Sequence, residues 1–79
     1  MRLDDKIKEF VKTVGAKECK KAGLASVLSS FYCGMPLNFN FKGDADEVAN
    51  ELGLSRATYE YWEDLFYKRD SWLNKEADK

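Results

Sequence analysis

The first apolar positions, Leu3, Ile7, Phe10, Val11 and Val14, recur at steps of four, three, one and three. That spacing predicts one face of an amphipathic helix, with Asp4, Asp5, Lys6, Lys8, Glu9 and Lys12 on the other. The acids at its start and Lys12 near its end suit the helix dipole, and Gly15 ends it. A second helix is predicted from about Ala16 to Tyr32, with Cys19, Leu24, Val27, Leu28 and Phe31 as the buried stripe. Gly23 lies inside it and costs up to about 1 kcal/mol against alanine if helical. Gly34, Met35 and Pro36 stop the helix. The run Asn38-Phe39-Asn40-Phe41 alternates polar and apolar residues but has no partner strand. It reads as a loop pinned to the core by its two phenylalanines; the alternative is an exposed aromatic pair that stacks on bases.

The pattern is strongest from Asp44 to Trp62, DADEVANELGLSRATYEYW. Asp44 is a good N-cap, and Glu47 stands three residues later, as in a capping box. Val48, Ala49 and Leu52 share one helical face, and Gly53 falls where that helix would end. Ser55 then caps a further helix that runs to about Trp72. This last helix carries two stripes, one through Thr58, Tyr59, Trp62, Phe66, Arg69 and Leu73, the other through Tyr61, Leu65, Lys68 and Trp72. Either it is a central helix contacted on both sides, or Tyr61, Leu65 and Trp72 form a dimer or partner interface. Residues 74–79 are polar and expected to fray. The expected architecture is a single all-α domain over residues 1–79, with four helices. Its expected core is Ile7, Phe10, Val14, Leu24, Leu28, Phe31, Val48, Leu52, Tyr59, Trp62 and Phe66.

Composition narrows the functional classes. At 79 residues the chain is near the lower limit for a self-sufficient core, yet its hydrophobic fraction of 44% is ample for one. No apolar run approaches the roughly twenty residues that span a bilayer, and the charged start MRLDDKIKEF lacks a signal-peptide apolar region. A cytoplasmic protein with reduced thiols is expected. The two cysteines, Cys19 and Cys33, have no histidine to join them and no metal-ligand spacing, so both read as small buried apolar side chains. No metal or other cofactor is expected. Without histidine or a glycine-rich phosphate loop, and with carboxylates that look like cap and surface residues, no enzyme is expected either.

The order Ala49, Leu52, Gly53, Leu54, Tyr59, Trp62 resembles the helix-turn-helix family. That pattern has a small residue where the helices cross, here Ala49, a glycine four residues on, here Gly53, and flanking apolar residues. The resemblance covers about a quarter of the chain. It implies a small DNA-binding regulator of the phage or plasmid type, or an accessory module of a recombination or packaging complex, with double-stranded DNA as partner. A rival match runs from Glu18 to Phe31 with Gly23 as its turn; it departs from the pattern where Ala25 stands in place of a capping serine or threonine.

Charge then sorts the contact candidates. Residues 1–43 hold eight basic and four acidic side chains, residues 44–79 five and ten. Such segregation suggests one basic and one acidic region. The candidate DNA-contact set is Ser55, Arg56, Thr58 and Tyr61, with Lys17, Lys20 and Lys21 for phosphates. Glu60, Glu63 and Asp64 on the same helix oppose that reading. The competing expectation is a non-catalytic module, alone or as a homodimer, that docks a protein through its acidic aromatic C-terminal helix.

Overall fold

A computed structural model describes residues 2–79; Met1, the first residue of the expected domain, lies outside the described residues. The described chain is all-helical, with six helices and no strand. They are α1 (Leu3–Val14), α2 (Ala16–Ala22), α3 (Leu24–Cys33), α4 (Ala45–Leu52), α5 (Arg56–Tyr67) and α6 (Trp72–Ala77).

Two of the four expected helices are each divided. The second breaks at Gly23, whose φ of +94° and ψ of 163° lie where side chains other than hydrogen are strained. Its amide donates to the Cys19 carbonyl and closes α2, while its own carbonyl accepts from Val27 and opens α3. One glycine thus ends one helix and begins the next. The fourth stops at Tyr67 because Lys68 turns extended and Ser71 starts a new helix. The Ser71 hydroxyl accepts from the Asn74 amide at 3.2 Å and donates to the Leu65 carbonyl at 2.6 Å. Most of the tail expected to fray therefore lies in α6, anchored by the buried Leu73.

Helix α3 is apolar on most of its circumference and sits at the centre, with α4 packed along it and α2 and α5 beside it. Helix α2 has α6 as its most extensive neighbour. Ile7, Leu24, Leu28, Val48, Trp62 and Phe66 are buried as expected. Phe10, Val14, Phe31, Leu52 and Tyr59 are half-buried and pack against them. Trp62 is fully enclosed. Its ring meets Phe31 and Tyr32 edge-on, and Phe31 in turn meets Phe10. The indole Nε1 donates to the Tyr32 hydroxyl at 3.1 Å, so α1, α3 and α5 share one aromatic cluster with its polar atom satisfied.

Two expectations are corrected. Phe39 and Phe41 do not pin their loop; they are 49% and 39% exposed. Leu37 packs on the core instead, and the Asn38 amide donates to the buried Ser26 hydroxyl at 2.9 Å. Of the two thiols only Cys19 is buried, while Cys33, one residue before the left-handed Gly34 that ends α3, is exposed.

Candidate nucleic-acid interface

The unit formed by α4 and α5 is closed by local chemistry. Asp44 accepts from the Asp46 amide at 3.0 Å and starts α4. Gly53 adopts φ +73°, ψ 28°, a left-handed turn that costs glycine little. The amides of Gly53 and Leu54 then reach back to the carbonyls of Asn50 and Ala49 and satisfy the end of α4. Ser55, the last of three linking residues, caps α5, accepting from the Thr58 amide at 3.2 Å and donating to the Thr58 hydroxyl at 2.9 Å. Ala49 is 5% exposed, but its helix packs on α3 far more than on α5, so α4 and α5 are not the closely crossed pair expected at Ala49. At the rival site α2 and α3 are separated by Gly23 alone, with no linking turn of that length.

Helix α5 buries Trp62, Leu65 and Phe66 and turns Arg56, Ala57, Glu60, Asp64 and Tyr67 to solvent. Depressions lie on both sides of this ridge. On one side a shallow groove of about 530 Å³ runs between Ala57, Thr58 and Tyr61 and the start of α1, at Arg2, Leu3 and Asp4. On the other lies an acidic cleft against α4 and the 41–44 loop, lined by Tyr59 and Glu63. The three acids of α5 are thereby separated. Glu60 pairs with Arg56 at 3.1 Å and Asp64 with Lys68 at 3.4 Å. Glu63, about 60° around the helix from Glu60, faces the cleft.

The groove brings together residues that no spacing in the sequence connects. Arg2 lines this groove, whereas Arg56 lines a separate depression against α4 with Asp46, Ala49 and Tyr59; the two arginine side chains are 85% and 90% exposed. Arg2 pairs with Asp4 at 3.5 Å. Tyr61 is half-buried in the groove beside Arg2 and Asp4; burial first, then Asp4 and Asp5, pushes its hydroxyl pKa up, so it remains a proton donor at neutral pH. Arg2 was not among the sequence candidates, and only its charge near the start of the chain could have marked it.

The expected phosphate lysines lie elsewhere. Lys20 donates to the Phe66 carbonyl and sits 5.0 Å from the centroid of the Phe66 ring, with its pKa lowered by burial. Phe66 is ten residues along α5 from Arg56, about 15 Å at 1.5 Å per residue. Lys17 and Lys21 are exposed on the same short helix as Lys20, and the Lys21 ammonium lies 5.7 Å from the Phe39 ring. The chain matches no family model, no curated protein and no solved structure. The weight therefore rests on geometry.

The expected docking stripe is also dispersed. Leu65 is 8% exposed and belongs to the core. Trp72 is half-buried beneath the Lys8 ammonium, 5.6 Å from its ring. Tyr61 lines the groove beside α1. The three do not make one open surface.

Proposed function

We propose that this chain is a small helix-turn-helix DNA-binding protein that presents the start of α5 to the duplex. The supporting observation is the exposed Arg56 in the first turn of α5, with the equally exposed Arg2 in the groove beside Ala57, Thr58 and Tyr61. Recognition helices of this type approach base edges with their N-terminal residues. Arg56 is the base reader, able to hold guanine O6 and N7 together, and Arg2 is the phosphate contact. Releasing Arg56 from Glu60 costs little, since surface pairs of this spacing are worth about 0.3–0.5 kcal/mol, against about 1–3 kcal/mol for a bidentate guanine contact. Lys17 and Lys21 reach phosphates only at the far end of α5.

The test is a titration of labelled genomic-sequence duplexes at low and moderate salt. Wild-type binding should weaken as salt rises. Arg2→Ala should reduce the slope of log affinity against log salt by about 1. Arg56→Ala should relax sequence preference, at a cost of about 1–3 kcal/mol for the preferred site. Glu63→Gln should leave binding intact or strengthen it. Absence of salt-dependent wild-type binding near ~50 mM salt would end the DNA reading.

A further inference from the structure

The acidic cleft on the other flank of α5 is independent of that reading. It occupies about 430 Å³ between the first turn of α3 at Gly23–Ala25, the 41–44 loop, the first turn of α4 and the Tyr59–Glu63–Tyr67 face of α5. Those three α5 residues follow at steps of four, so they form a continuous strip along one side of the helix. Tyr67 is 67% exposed and Phe41 39%. Exposed aromatic side chains at a concave site are a mark of binding surfaces.

The charge at this site has one sign. Asp44, Asp46 and Glu63 line the cleft, and no lysine or arginine does. Among the described residues none of the three carboxylates has a basic group within 4.0 Å. Lys42 follows Phe41 in the loop but does not line the wall. The α3 N-terminus opens here with a partial positive charge of about half a unit, which cannot offset three carboxylates. The Tyr59 hydroxyl is held protonated by burial, by Asp46 and then by Glu63 and Tyr67, consistent with four side chains crowded at one place.

We propose that this cleft docks a basic segment of a partner protein, with an arginine or lysine side chain seated between Phe41, Tyr59 and Tyr67 and facing Asp46 and Glu63. Aromatic faces attract such cations, and the carboxylates supply the counter-charge. The site lies on the flank of α5 opposite Arg2, while Arg56 lines an adjoining depression that shares Asp46 and Tyr59 with the cleft.

The probe is a short labelled glycine–serine peptide carrying arginines around a leucine, titrated into the full chain by anisotropy and by NMR. Binding should shift the aromatic resonances of Phe41, Tyr59 and Tyr67. Glu63→Gln and Tyr67→Ala should each weaken it about tenfold, or ~1.4 kcal/mol. Glu9→Gln, which removes the same charge from the exposed face of α1, should change it less than about twofold, ~0.4 kcal/mol. An equal loss in Glu9→Gln and Glu63→Gln would reduce the effect to general charge attraction and overturn the proposal. So would shifts scattered away from the cleft, or no binding by wild-type protein whose thermal melt shows it folded.

Discussion

The hydrogen bond from Trp62 to Tyr32 gives the sharpest test of the core. Trp62 is fully enclosed, so its Nε1 depends on the Tyr32 hydroxyl at 3.1 Å. Tyr32→Phe keeps the ring and its edge-on contacts but removes that acceptor. An enclosed donor left unsatisfied costs about 1–3 kcal/mol. For a domain of this size that is a fall in melting temperature of roughly 4–24 °C. In a Trp62→Phe background the donor is gone, and Tyr32→Phe should be close to neutral. The two substitutions should therefore couple by about 1–3 kcal/mol. Urea denaturation followed by circular dichroism measures all four stabilities. If Tyr32→Phe costs the same in both backgrounds to within ~0.5 kcal/mol, the bond does not hold α3 to α5 and the cluster is simple apolar packing.

Ala49→Leu should overfill a site that is 5% exposed and cost about 1–3 kcal/mol; an unchanged thermal melt would show that α4 has room to move away from α3. The Cys19 thiol is pushed up to about 11 by burial and by Glu18, so it stays protonated, hence unreactive, well above neutral pH. Iodoacetamide at mildly alkaline pH should modify only the exposed Cys33 in the native protein, and both cysteines in urea; native labelling of Cys19 would contradict its burial.

Helical periodicity made the all-α class legible, and α1 ends where Gly15 marks it. The α4 and α5 starts were equally legible, because Asp44 and Ser55 cap by local bonds that need no tertiary partner. The break at Gly23 carried a visible signal, the cost of glycine in a helix, but no local pattern showed that α2 would pack on α6, about fifty residues away. Ser71 is a comparable missed cap: a long apolar stripe through Trp72 and Leu73 hid it. The site was harder. Lys20 and Lys21 look alike in sequence, yet one ammonium is taken up by the Phe66 carbonyl. Arg2 reaches α5 only through the folded arrangement of helices, and the cleft that Glu63 faces exists only because α3, α4 and the 41–44 loop close against α5.

The partnership of α2 with α6 has a consequence for the order in which the molecule can be completed. A seven-residue helix does not persist alone, and the neighbour that covers it most is encoded about fifty residues later. At translation rates of about 5–20 residues per second, α2 waits roughly 3–10 s for that neighbour. Lys17 and Lys21 thus reach their final positions only after the acid-rich half has been synthesised and has closed over the helix that carries them.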